Sequence, residues 1–165
     1  MPTASSIQLR PAGPDDAGHI HRLIVALATY EREPDAVQVT PAELRAQLAA
    51  PRPPFECLLA ELDGAVVGFA LYFHNYSTWR GRPGLYLEDL FVEPAARGHG
   101  VGRRLLAALA GIAVARGCAR MEWMVLDWNA PAIGFYEQLG ARAVAGWLPF
   151  RLTGDALVEL ARAGG

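Results

Sequence analysis

Arg97-Gly98-His99-Gly100-Val101-Gly102 follows the strand-like run Leu85-Tyr86-Leu87-Glu88-Asp89-Leu90-Phe91-Val92 and opens a helix-like run that continues to Arg116. Glycines at alternate positions let the backbone take left-handed dihedrals and bring successive N–H groups close to a ligand without Cβ interference. The helix that follows begins with N–H groups lacking intrahelical partners, at the positive end of its dipole. Such a turn is a nest for an anion such as a pyrophosphate, to which Arg97, Arg103 or Arg104 can add charge-assisted bonds. The glycines alone fit an ordinary flexible turn equally well. A Walker loop is excluded because the chain contains no lysine. A dinucleotide fingerprint fits poorly, since the spacing differs and several strands precede the turn.

Outward from the turn, the pattern alternates strand and helix signals. Ile7-Gln8-Leu9-Arg10 reads as a strand, and Pro14-Asp15-Asp16 opens a helix with Ile20, Leu23, Ile24 and Leu27 on one face. Pro41 starts a short second helix that ends before Pro51. Phe55 to Leu62, the turn Asp63-Gly64, and Ala65 to Phe73 form the clearest hairpin signal, because Asp-Gly supplies the positive φ of a tight turn. His74 to Gly84 reads as a loop. Beyond the Val101 helix, Met121 to Leu126 suits an interior strand, and Asn129-Ala130-Pro131 starts a helix running through Gln138. Ala141 to Val144 and Leu148 to Leu152 suit a closing hairpin, and Asp155 caps a last helix to Arg162.

The 165 residues suit one domain, 1–165, with a core large enough to need neither disulfide nor metal. Cys57 and Cys118 lie among apolar residues and read as buried, reduced thiols, which suits the cytoplasm. No apolar run is long enough to span a bilayer, and no leader pattern stands at the start. A net charge of −2 with scattered arginines carries no footprint for nucleic acid. The four histidines show no metal-ligand spacing, and His99 reads as a loop residue rather than a base.

Several motifs in this order resemble the GNAT superfamily of N-acetyltransferases. Arg97 to Gly102 matches its Gln/Arg-x-x-Gly-x-Gly/Ala signature. Tyr76-Ser77-Thr78-Trp79, Leu85 to Val92, Leu126-Asp127-Trp128-Asn129, Phe135-Tyr136 and Gly146-Trp147 are similar to the spermidine/spermine and thialysine acetyltransferase branch. The resemblance runs from Ile7 to about Leu160. It implies an α/β (α+β) fold with a mixed, mostly antiparallel sheet of about seven strands, a central splayed parallel pair and helices on both faces. It also implies acetyl-CoA as cosubstrate, a small-molecule amine as acceptor, no nucleic-acid or membrane partner, and a homodimer.

What the resemblance implies for the site is direct transfer in a ternary complex. Acetyl-CoA would lie where Leu85 to Val92 and Met121 to Leu126 part. Backbone groups of Leu90, Phe91 and Val92 would pair with its pantetheine arm as an added strand would. The turn, Arg97, Gly98, His99, Gly100, Val101, Gly102 and Arg103, would hold its phosphates, and Asn129 would contact it. Tyr136 would be the general acid, since a phenol near pKa 10 stays protonated beside a thiolate near 8.5. Glu88 would be the base, alternating with Asp89 across the strand so that each carboxylate faces one side of the sheet. Tyr30, Glu31, Trp79, Glu88 and Asp89 would hold a cationic amine. Ser77 stands where polyamine acetylators of this branch carry Asp, so a lysine-like amine or diamine is favoured. Polyamine acetylation and a non-catalytic acyl-CoA sensor stay open.

Overall fold

Asp63 and Gly64 both take positive φ, 51° and 84°, so the predicted tight turn joins β2 (Glu56–Leu62) to β3 (Ala65–Ser77). The computed structural model describes residues 6–164. The reading of the chain's start as free of a leader rests partly on residues 1–5, outside that range. The chain divides into two compact units, Met1–Leu126 and Asp127–Gly165.

In the first unit, β1 (Ile7–Pro11), β2, β3, β4 (Arg82–Val92) and β5 (Met121–Glu122) form one sheet in chain order. The first three pairings are antiparallel and β4–β5 is parallel. Both β3 and β4 reach further than the sequence suggests. The expected loop from His74 to Gly84 is mostly strand, leaving a short turn closed by Gly81 N–H donating to Ser77 O (2.8 Å), with Gly81 at φ 64°.

One face of the sheet carries α1 (Ala17–Tyr30) and α2 (Pro41–Ala49). Ile20, Leu23 and Leu27 recur at helical spacing and bury against Leu59, Phe69, Leu71 and Phe91. Thr40 caps α2: its Oγ1 accepts from Glu43 N–H, while the Glu43 carboxylate accepts from Thr40 N–H at 2.8 Å. α3 (Val101–Ala115) contacts β2, β3 and β4 and buries Val101, Leu105, Leu106, Leu109 and Ala113. Arg10 ties the start of the sheet together through a bidentate bond to Asp16 (both 2.8 Å) and a bond to Glu61 (2.8 Å). The guanidinium holds the Asp16 carboxyl down at about 2, against the opposing effect of burial.

The second unit holds α4 (Ala130–Gln138) and α5 (Gly154–Ala163). Asn129 caps α4, its Oδ1 accepting from Ala132 N–H at 3.4 Å. Asp155 lies in the first turn of α5, and Thr153 rather than Asp155 occupies the cap position. The expected closing hairpin is not formed: no described residue between Ala141 and Leu152 is in a strand, so the sheet has five strands rather than seven. A strand exists only where a neighbour satisfies its N–H and C=O groups. Pro149 has no N–H to offer, and Val144, Trp147, Leu148 and Phe150 are exposed, Phe150 at 94%. No helix among the described residues is long and apolar enough to cross a membrane.

Candidate functional site

Gly98 and Gly100 take φ of 83° and 80°, and nothing lies within 4 Å of where a Cβ would stand on either. These two glycines supply the left-handed steps of the turn. Gly102 lies in the first turn of α3 with helical backbone, as expected of a helix that starts at Val101. The helix therefore starts at once, with no acidic residue in its first turn to compete for an anion. His99 Nδ1 lies 3.2 Å from both Ala96 O and Arg97 O, so the imidazole folds back on its own loop. Val101 is buried against the sheet because Gly68 has no side chain. A Cβ on Gly68 would sit 3.6 Å from Val101 Cγ1 and 2.9 Å from Phe91 O. The lone glycine inside a strand pattern was the sequence signal for this close approach.

The three arginines around the turn separate. Arg104 Nη1 donates to Ile7 O (2.9 Å) on β1. Arg97 stacks over the rings of Tyr30 and Phe91, with Cζ 5.0 Å and 5.5 Å from their centroids, and its Nε donates to Val92 O (3.0 Å). Arg103 is exposed on the first turn of α3.

Strands β4 and β5 pair only at Leu85 with Met121 and Tyr86 with Glu122, and the strand expected to reach Leu126 stops at Glu122. From Leu87 onward no strand among the described residues pairs with β4 on that side. Glu93 N–H donates to Val67 O (2.8 Å), so strand alternation turns the N–H and C=O of Leu90 and Val92 to the open side. Phe91 instead points these groups at its partner Phe69 on β3. Of the three residues expected to meet an added strand, Leu90 presents both main-chain groups, Val92 presents its N–H while its C=O accepts from Arg97 Nε, and Phe91 presents packing.

The carboxylates are arranged by a bulge. Leu87 pairs with Tyr72 and Asp89 with Leu71, leaving Glu88 as an extra residue on β4. The simple alternation expected for Glu88 and Asp89 is therefore broken. Asp89 shares the face of Leu71 and Phe91, both in the core cluster beneath α1. Burial, followed by the charges of Glu88 and Glu31, pushes its carboxyl up to about 6. Glu31, at the C-terminal end of α1, is itself raised by desolvation. Glu88 is exposed. The helix end that carries Tyr30 and Glu31 is locked: Glu33 N–H donates to Ala28 O (2.9 Å) and Arg32 N–H to Thr29 O (3.1 Å), with Arg32 at φ 66°.

Two expected residues stand elsewhere. Trp79 is 91% exposed at the tip of the β3–β4 turn, and Ser77 is 5% exposed, its Oγ accepting from Arg80 N–H at 3.3 Å. In the second unit Tyr136 is half-buried on α4 and its ring lies 5.6 Å from that of Phe135. Asn129 Oδ1 is engaged in the cap of the same helix, about two turns before Tyr136.

Residues 19–141 match the model of the acetyltransferase (GNAT) family. The chain is 40% identical over 168 residues to thialysine N-epsilon-acetyltransferase of Sus scrofa, covering 95% of this chain and 98% of that protein. It is 36% identical to spermidine/spermine N(1)-acetyltransferase-like protein 1 of Homo sapiens over 93% of this chain and 24% of the longer human protein. Among solved structures, an integron cassette protein from V. cholerae superposes with a TM-score of 0.80 at 25% identity, covering 95% and 98% of the two chains. An aminoglycoside N-acetyltransferase solved in complex with CoA gives 0.73 at 23% identity, covering 92% and 98%, and shares the fold. With a family match over most of its length and a relative this similar end to end, the chain belongs to the GNAT acetyltransferase family.

Proposed function

We propose that this enzyme transfers the acetyl group of acetyl-CoA to a primary amine of a small molecule, a thialysine- or lysine-like amine or a diamine. The observation that carries the reading is the conjunction, in one unit, of an anion nest at Gly98–Gly100 with a strand edge at Leu90 and Val92 open to an extended thioester arm. Identity to thialysine acetyltransferases along nearly the whole chain supports the choice of acceptor. Arginine at positions 97 and 103 and the amide of Asn129 complete the proposed coenzyme contacts. The family match crosses from the first unit into the second, which supports reading 1–165 as one functional domain.

In the proposed reaction the ammonium meets the negative cluster of Glu31, Glu88 and Asp89 and gives up a proton to Glu88, directly or through water. The free amine nitrogen attacks the thioester carbonyl. The oxygen that gains charge is stabilised by a backbone N–H on the open edge of β4, a donor whose loss typically costs on the order of 10²- to 10³-fold in rate. The C–S bond breaks, and Tyr136 donates its proton to the departing thiolate. Tyr30 lies beside the carboxylates as an aromatic wall. Trp79 and Ser77 now carry less of the acceptor reading than the carboxylates do, since one is at a turn tip and the other is buried.

The two free cysteines, Cys57 and Cys118, support a cytoplasmic location, and burial pushes the Cys57 thiol up to about 12. The exposed apolar run containing Trp147, Leu148 and Phe150 supports a homodimer in which a second copy covers it. The test is amine-dependent thiol release from acetyl-CoA across thialysine, lysine, diamines and polyamines. Tyr136→Phe should lower turnover by roughly 10²- to 10⁴-fold with coenzyme affinity little changed. An unchanged rate refutes the acid assignment, and coenzyme binding without thiol release from any amine would make the protein a sensor.

A further inference from the structure

Phe73 pairs with Tyr86 and Tyr86 with Glu122, so these three side chains stand in one row across β3, β4 and β5, on the sheet face that α1 covers. Two residues back along β3, Leu71 pairs with Asp89 on the same face, and at about 3.3 Å per residue the two rows lie roughly 7 Å apart. The rings of Phe73 and Tyr86, with centroids 5.2 Å apart, make an aromatic floor at the second row. Burial, followed by the charges of Glu88 and Glu122, raises the Tyr86 hydroxyl, which sets that ring near both carboxylates. One step further out, Arg120 O accepts from Leu85 N–H (3.0 Å), and the Arg120 side chain turns back along the strand into an ion pair of Nε with Glu122 Oε1. Gly84 lies beside Arg120 O, and Asn75 Oδ1 occupies the space that a Cβ on Gly84 would take. The shelf therefore carries carboxylates at one end and a half-exposed ion pair at the other.

We infer that Arg120 is a specificity-determining residue that binds the α-carboxylate of an amino-acid acceptor, held in place by Glu122, while the acceptor's distal amine reaches Glu88. The inference rests on the acetyl-transfer reading and narrows its acceptor from small amines in general to amino acids with an amine at the end of the side chain. Length agrees with this. Five bonds separate the terminal nitrogen of lysine or thialysine from its α-carbon, about 6 Å when extended, which matches the spacing of the two rows. Charge agrees as well. With Nε given to Glu122, the planar guanidinium turns its terminal nitrogens outward as a fork for a carboxylate. A zwitterionic head group meets a partner of opposite sign for each of its charges, its carboxylate on Arg120 and its ammonium on Glu122. The second ammonium of a diamine meets the attraction of Glu122 and the repulsion of Arg120 together, so the pair selects by rejecting as well as by attracting.

The test measures thiol release from acetyl-CoA by wild type, Arg120→Gln and Arg120→Glu with three acceptors: thialysine, its methyl ester, and the diamine that thialysine becomes on losing its carboxylate. Wild type should prefer thialysine to the other two. Arg120→Gln should raise the thialysine KM roughly 10- to 100-fold, the scale of a charge-assisted hydrogen bond. The same variant should move the KM of the ester, of the diamine and of acetyl-CoA by less than about threefold, a split that a merely structural role for Arg120 would not produce. Arg120→Glu should go further and lower the diamine KM below that of wild type, a gain that misfolding cannot imitate, so this variant carries the comparison should Arg120→Gln fold poorly. Equal losses for thialysine and its ester, or a wild type that uses the diamine as well as thialysine, overturn the inference and leave acetyl transfer standing. A wild-type protein that releases no thiol with any amine overturns the acetyl-transfer reading and this inference together.

Discussion

Replacing Asp89 by Asn should stabilise the protein at neutral pH and leave it unchanged in acid. Asp89 shares its face with Leu71 and Phe91 and lies near Glu88 and Glu31, and its carboxyl is raised from the ordinary 3.8 to about 6. The folded state therefore holds this proton more tightly than the unfolded chain does. Below pH 3.8 the carboxyl is neutral in both states and its contribution is fully present; that contribution is lost as pH rises through about 6. At 1.36 kcal/mol per pH unit the loss is at most about 3 kcal/mol, and about 2 kcal/mol once partial solvent contact is allowed for. Asn is a near isostere that never ionises, so the variant escapes this loss. Urea unfolding of both proteins at pH 3.5, 5 and 7.5 should show curves that coincide at the lowest pH and separate in favour of Asn by about 2 kcal/mol at the highest. Asp16 titrates in a lower window, being held at about 2, and is common to both proteins. A gap of equal size at pH 3.5 and 7.5 would refute the claim that this carboxylate is desolvated. The same variant should bind the cationic amine more weakly, making Asp89 a case of stability given up for function.

Two further substitutions probe the scaffold. Gly68→Ala would put a Cβ 2.9 Å from Phe91 O, main chain on the strand that bears Leu90 and Val92; a loss of about 1–3 kcal/mol by thermal or urea unfolding is expected, and a neutral result would show that β3 and β4 yield easily. Gly100→Ala meets no steric neighbour, so its cost is the left-handed dihedral, about 1–2 kcal/mol. Calorimetry should also show weaker acetyl-CoA binding for this variant, and unaltered affinity would argue that the turn does not hold the coenzyme.

Most of the scaffold was legible because its signals are local. Asp63-Gly64, the helical spacing of Ile20, Leu23 and Leu27, and Pro41 at the start of the second helix each act within a few residues, and each forms as written. What sequence concealed depends on partners. The closing hairpin from Ala141 to Leu152 needs a neighbour that its own alternation cannot specify, and the length of β3 and β4 was hidden by turn-forming residues that a long pairing overrides. At the site, the glycine turn and the acidic strand were visible as motifs. The aromatic faces that the side chain of Arg97 lies over, drawn from α1 and β4, carry no mark in the sequence around the turn, because Tyr30 stands 67 positions away. The change of face between Leu87 and Asp89 was invisible for a different reason: a bulge leaves no mark in a pattern of apolar and polar letters.

That bulge makes β4 two strands of opposite phase spliced at one residue. Ahead of Glu88, Tyr86 faces the side of the sheet that α1 covers; behind it, Asp89 and Phe91 do, though they stand at odd numbers and Tyr86 at an even one. Exchanging the side chain of Glu88 alters a charge. Deleting the residue would let Leu87 and Asp89 pair as neighbours with Tyr72 and Leu71, closing the bulge while Asp89 and Phe91 keep the face that α1 covers. What a gap here would remove is the local bend and added twist of the bulge, with the pairing of the residues on either side left as it is.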